Sequence, residues 1–231
     1  MSLAIRARTE ERMDDPTLPA ADYAAVLADL AQVNRVTFAA RPTLSFLARG
    51  LRGRDRFRLL DVGFGEGDML RRIARWAARR GIAADLVGVD LNPNSAPAAR
   101  AATPAGIGTA IDYRTGDYAD LAGAGFDFIV SSLVAHHMTD AQLRAFLRFM
   151  EAEARAGWLV NDLHRHGFAH AGFPLLAALM RWHPIVAADG RLSIARAFRP
   201  AEWRAILAEA GIDGARIVRR FPFRLCVERM R

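Results

Sequence analysis

The spacing of hydrophobic positions changes near residue 56. Upstream, from Asp22, Tyr23, Val26, Leu27, Leu30 and Val33 recur at helical intervals. A second helix is expected after Pro42, with Leu44, Leu47 and Leu51 on one face. Together they predict a helical cap of about 30 residues. Residues 1–20 are polar and carry Pro16 and Pro19, so they read as a loose arm. Downstream, short apolar runs alternate with amphipathic helices. The strands are expected at Phe57–Val62, Leu86–Asp90, Ile111–Thr115, Phe126–Ser131 and Trp158–Asp162. Between the first two, Met69, Leu70, Ile73, Trp76 and Ala77 share a helix face, and a short segment near Ser95–Ala102 follows the second strand. Thr139 and Gln142 form a capping box for a helix whose buried stripe is Leu143, Phe146, Leu147 and Met150.

Strand–helix alternation predicts an α/β fold, a doubly wound and mainly parallel sheet covered on both faces. After the fifth strand comes an apolar run, Phe168–Trp182, too short to span a bilayer. A helix is expected from Pro200 to a stop at Gly211. Arg216–Phe221 and Phe223–Glu228 then read as two strands joined at Pro222. The expected division is an arm and cap (1–55) and a core domain (56–231), with 166–199 inserted as an apolar lid.

With 231 residues, 52% of them hydrophobic, the chain fits one α/β domain with additions. Its net charge of +7 invites a nucleic-acid reading. Every basic residue is arginine, however, and the arginines are spread along the chain, which fits solvated helix faces better than a dedicated nucleic-acid surface. A lone cysteine, Cys226, excludes an internal disulfide and fits a reducing cytoplasm. No secretory signal, no membrane span, and a monomer or homodimer are the expectations that follow.

Ligands of such sheets sit beyond the carboxyl ends of the strands. The first strand runs into "LLDVGFGEGDML", with Gly63, Gly65 and Gly67 spaced two apart. A dinucleotide fingerprint needs a third glycine where Asp68 stands. Asp61, Glu66 and Asp68 oppose a pyrophosphate and suit a cationic ligand. The second strand ends in Asp90, where an acid bonds a ribose diol. The ligand therefore reads as a nucleoside with a cationic, non-phosphate arm, which describes S-adenosyl-L-methionine.

"LLDVGFGEGDML", "GVDLNP", "YRTGDYADL" and "FDFIVSSLVAHHMTD" resemble, in order and spacing, four motifs of the class I S-adenosylmethionine-dependent methyltransferases, in their small-molecule, O-methyltransferase-like branch. The two-strand tail resembles that family's antiparallel ending and completes a Rossmann-like, seven-stranded sheet. Phe64 and Glu66 depart from the family's usual small residue and its threonine or serine, and are expected to narrow the methionine end of the pocket. By position, the resemblance implies that Gly63 and Gly65 admit the methionine arm and ribose. Asp61 or Asp68 would face the ammonium, and Asp90 the ribose hydroxyls, with Leu91 against the adenine. Asp117 would accept from the adenine amino group beside Tyr118, and Ser131 and Leu133 would line the floor under the sulfonium.

Four histidines follow sheet strands: His136, His137, His164 and His166. His136 lies four residues before Asp140, where the segment resembles plant-type O-methyltransferases and their general base. His164 and His166 share a face if the fifth strand continues. His170 and His183 read as structural, and no metal is expected because no strong zinc spacing is present. "SSLV" stands where amino-methyltransferases of bases or glutamine carry an Asn/Asp-Pro-Pro-aromatic turn. The acceptor is thus expected to be small and aromatic or lipophilic: a phenol, quinone precursor or polyketide. RNA or protein methylation, or S-adenosylmethionine binding without catalysis, are the alternatives.

Overall fold

The computed structural model describes residues 3–15, 17–107 and 111–231; Pro16 lies outside them. Seven strands form one sheet: β1 (Arg56–Val62), β2 (Ala83–Asp90), β3 (Ile111–Thr115), β4 (Phe128–Ser132), β5 (Gly157–Leu163), β6 (Arg216–Arg220) and β7 (Arg224–Met230). Their order is β3-β2-β1-β4-β5-β7-β6. The first five are parallel, and β7 runs antiparallel between β5 and β6. From β3 at one edge the chain returns to β4 beside β1, so a switch-point crevice opens above the carboxyl ends of β1 and β4.

Helices α3 (Asp68–Ala78), α4 (Ser95–Ala102), α5 (Asp140–Glu153) and α8 (Pro200–Ala210) cover the sheet. α3 buries Leu70, Ile73, Trp76 and Ala77 of the expected stripe and Ala74 beside them, while Met69 is only partly buried. Thr139 and Gln142 form the expected capping box of α5. α8 has Pro200 in its first turn and ends at Gly211 in a left-handed conformation (φ 72°). One core cluster lies around Phe146, Trp158 and Trp203, and another around Phe46, Leu70 and Phe128.

The cap is α1 (Ala20–Val36) and α2 (Ala40–Gly50). α2 begins before Pro42 rather than after it, because a proline in the first turn gives up an N–H that has no helical partner there. The insert folds as two helices, α6 (Gly167–Met180) and α7 (Pro184–Arg196). A third apolar cluster, Val26, Val33, Ala177, Trp182 and Val186, joins cap to insert as a roof over the crevice. No helix among the described residues is long and apolar enough to cross a membrane.

The arm is not loose. Ala7 N–H donates to Ala195 O at 3.0 Å. The Arg6 guanidinium donates to the carbonyls of Arg196 (2.6 Å), His136 (2.9 Å) and Met138 (3.0 Å), and to Asp140 (3.1 Å). Asp189 accepts from the backbone N–H groups of Arg12 and Met13 at a 3-10 turn, Arg12–Asp14. Polar residues on this arm find partners in α7, and composition alone gives no sign of them.

Candidate active site

The glycine loop is built on left-handed backbone: φ is 73° at Gly63, 55° at Gly65 and 78° at Gly67. A Cβ on Gly63 would stand 2.3 Å from Val134 Cγ2. Asp90 accepts from Gly65 N–H (2.8 Å), Asn92 N–H (2.9 Å) and the Ser95 side chain, which ties the loop to the end of β2. Burial holds the Asp90 carboxyl above its ordinary range.

Three cavities open along this edge. The smallest, about 140 Å³, is lined by the glycine loop, by Asp61, Glu66 and Asp68, and by Leu27, Leu30 and Asn34 of α1. Within it Asp61 Oδ1, Glu66 Oε2 and Asn34 Oδ1 are buried oxygens with no hydrogen-bond partner among the described residues. Burial, then the charge of Asp90, pushes the Asp61 carboxyl up to about 8. The other acids have partners: Glu66 pairs with Arg71 at 2.7 Å and Asp68 with Arg72 at 2.8 Å. The second cavity, about 510 Å³, runs over Asp90, Leu91, Tyr118, Val134 and His137 and is flanked by Asp15, Leu18 and Tyr23. The third, about 300 Å³, is mostly apolar, with Val33, Leu163, Phe173, Leu176, Ile194 and Phe223 around it and Glu11, His136 and His137 on its wall. Leu133 and Met13 line all three. Leu133 has φ 64°, rare for a bulky residue, so the β4 exit is held in a strained conformation where the cavities meet.

His136 is 2% exposed. Asp162 accepts its backbone N–H at 2.9 Å and bonds its Nδ1 at 2.7 Å. That contact holds the Asp162 carboxyl below its usual range despite full burial. His136 Nε2 lies 3.6 Å from Glu11 Oε1, and His137 Nε2 3.8 Å from Glu11 Oε2. Burial raises the Glu11 carboxyl.

Comparison with known proteins agrees with this geometry. Residues 59–157 match a family profile described as a methyltransferase domain. The chain is 38% identical over 117 residues to a ubiquinone biosynthesis O-methyltransferase of Azorhizobium caulinodans, covering 49% of this chain and 40% of that protein. It is 32% identical over 162 residues to the enzyme of the same name from Cereibacter sphaeroides, covering 68% and 60% respectively. It therefore spans about half the length of these relatives. The crystal structure of magnesium protoporphyrin IX methyltransferase from Synechocystis with bound S-adenosylmethionine superimposes with a TM-score of 0.55 at 17% identity, over 85% of this chain and 81% of that one. The chain carries a class I S-adenosylmethionine-dependent methyltransferase domain.

Of the methyltransferase-domain residues expected to bind cofactor, Asp61, Gly63, Phe64, Gly65 and Asp68 line the small cavity, Asp90, Leu91 and Tyr118 the large one, and Leu133 the junction. Gly67 turns the chain into α3, pressed on Tyr113. The Phe64 ring packs against Tyr113, with centroids 5.1 Å apart, and so is turned into the core. Two expected residues lie outside these cavity walls. Ser131 is buried with Oγ donating to Val62 O at 3.0 Å, and its neighbour Ser132 faces the small cavity instead. Asp117 is exposed, caps the turn Tyr118–Leu121 by accepting from Ala119 N–H, and lines none of the three cavities.

The histidines divide. His136 and His137 reach the apolar cavity, and His164 and His166 do not line it. The latter two share a side, with ring centroids 5.6 Å apart, but His166 caps α6 and stacks on Phe223. Burial, then Arg219, lowers the His164 pKa. His170 accepts from Arg191, and His183 caps α7. Sequence reasoning missed Glu11, Met13, Asn34 and Tyr23. Of these Asn34 left a signal, a polar residue that falls with Leu27 and Leu30 on the inward face of α1.

Proposed function

We propose that this chain is an S-adenosylmethionine-dependent methyltransferase acting on a small aromatic or lipophilic acceptor by O- or C-methylation. One observation carries the reading: the polar cavities and the apolar cavity meet at Leu133 and Met13. The cofactor fits the polar pair. Three buried acceptor oxygens, on Asp61, Glu66 and Asn34, lack partners in the small cavity, and an ammonium group offers three N–H donors. A pyrophosphate offers none. Bound there, S-adenosylmethionine supplies a methyl group on a positively charged sulfur.

The chain's own residues do the rest. Asp90 stands at the end of β2 where a ribose diol would bind, and Leu91, 73% exposed beside it, offers an apolar face for a base. The apolar cavity excludes water and orients an acceptor toward Leu133. His136, its Nδ1 held by Asp162, keeps Nε2 for the proton of an acceptor hydroxyl. The relatives' shared name supports a phenolic quinone precursor as the acceptor class.

The test is a screen of phenolic and quinol acceptors with methyl-labelled cofactor. Label transferred to small phenols is the expected result. Label in structured RNA, with steep salt dependence and none in phenols, would overturn the acceptor class.

A further inference from the structure

Glu11, His136 and His137 have a capacity that proton transfer does not use. One ligand atom from each lies within 4.8 Å of the others. The Glu11–His136 and Glu11–His137 separations, 3.6 and 3.8 Å, are too long for the charge-assisted hydrogen bonds of about 2.7–2.9 Å that buried carboxylates normally make. Measured to Oε1 and Oε2 respectively, they are a few tenths of an ångström longer than the roughly 3.3–3.5 Å between tetrahedral neighbours bonded at about 2.0–2.1 Å, a gap that small side-chain shifts close around an ion. Glu11 is 3% exposed, yet its Oε1 has no hydrogen-bond partner among the described residues. Asp162 on His136 Nδ1 is the outer carboxylate that fixes a metal-ligating imidazole with Nε2 as donor.

The neighbouring cations make their hydrogen bonds to other groups. Arg196 lies 3.8 Å from Glu11 Oε1, but its guanidinium donates to the carbonyls of His136, His137 and Thr9. Arg6 is paired with Asp140. Glu11 and Asp162 bring two buried carboxylates to the cluster.

The geometry points to a divalent transition-metal site of the zinc class, formed by Glu11, His136 and His137 on the wall of the apolar cavity. Two imidazoles and one carboxylate leave coordination positions open, and here those face the cavity. An ion there takes an acceptor hydroxyl oxygen as a further ligand and lowers its pKa, so that the proton leaves to solvent and the oxygen is held as an anion beside Leu133. The ion then replaces the His136 imidazole as the means of ionising the acceptor. This use rests on the proposed methyl transfer; the site itself does not.

The experiment titrates the chelator-stripped full chain with Co²⁺, followed by visible absorption, and with Zn²⁺ by calorimetry, with no acceptor or cofactor present. One ion per chain is expected, with the absorption bands of four- or five-coordinate Co²⁺. Asp162→Asn should weaken binding by about 10–100-fold, the usual effect of losing an outer-shell partner. Glu11→Gln, which keeps the side chain's shape, and His137→Ala should each weaken it further. S-adenosylhomocysteine affinity, measured on Asp162→Asn and Glu11→Gln, should be unchanged and reports that they are folded; His137 also lines the large polar cavity, so the fold of His137→Ala is checked by its circular dichroism and thermal melt. No saturable binding, or equal affinity in parent, Glu11→Gln and His137→Ala, overturns the site. Stoichiometric Co²⁺ binding with no S-adenosylhomocysteine binding would retain the site and sink the methyltransferase reading.

Discussion

The β1–β3 half of the crevice and the β4–β5 half are built on different plans. In the first, the polar groups other than Asn34 of α1 sit at a strand end or in the loop that follows it: Asp61 on β1, Gly63 to Gly67 after it, Asp90 on β2. Its key contact, Asp90 to Gly65 N–H, joins neighbouring strand ends. In the second, Glu11 of the arm, His136 after β4, Asp162 on β5 and Arg196 of α7 converge from four parts of the chain. A ligand common to many proteins can be held by local loops, whereas a cavity for a particular acceptor is assembled from the additions around the sheet.

If the halves are separate, variants in one should leave the other intact. The largest effect is expected in the acceptor half. His136→Ala should cut turnover by about 10²–10⁴-fold with an oxygen acceptor while S-adenosylhomocysteine affinity stays within a few-fold. Turnover close to the parent would make His136 structural. In the cofactor half, Gly63→Ala forces a side chain into φ 73° and onto Val134. Strain and overpacking together cost roughly 2–4 kcal/mol, to be read as lost S-adenosylhomocysteine affinity or lost stability by calorimetry.

A smaller loss, about 1.5–3 kcal/mol of cofactor affinity, is expected for Asp90→Ala, the scale of hydrogen bonds to a charged group. Asp61 gives a pH signature. Its folded carboxyl titrates at about 8 against an ordinary 3.8, so between those values the folded protein keeps a proton that the unfolded chain has lost. Stability of the ligand-free protein should therefore fall as pH rises from about 4 to 8, and Asp61→Asn should flatten that slope in thermal melts. Least affected should be Asp117→Ala. With that side chain exposed and bonded only within its own turn, cofactor affinity should change by no more than about 0.5 kcal/mol. A loss as large as that of Asp90→Ala would restore Asp117 to the binding site.

The same division explains what was readable from residues alone. Strand ends and glycine loops are contiguous, so Asp61, Asp90 and the turn chemistry between them stand out, as do the capping box at Thr139 and the stop at Gly211. Ser131 and Ser132 are not told apart in sequence because β4 is apolar on both faces and offers no alternation to show which side chains point up. Asp117 reads as a binding residue because a side chain that bonds its own backbone two residues on looks, in sequence, like one awaiting a ligand. Glu11 and Met13 were invisible for a different reason. Arg6 bonds backbone 130 and 190 residues away, and no local pattern encodes such a pairing.

The central claim is that the polar cavities are shaped for a nucleoside with a cationic arm. Titration calorimetry of the chain with S-adenosylhomocysteine and, separately, with NAD tests it most directly. Run below pH 8 in buffers of different ionisation enthalpy, the first titration should show micromolar binding accompanied by proton release, as the Asp61 carboxyl ionises to meet the ammonium. NAD should show no comparable binding. Tight NAD binding, or none of S-adenosylhomocysteine, would contradict the account.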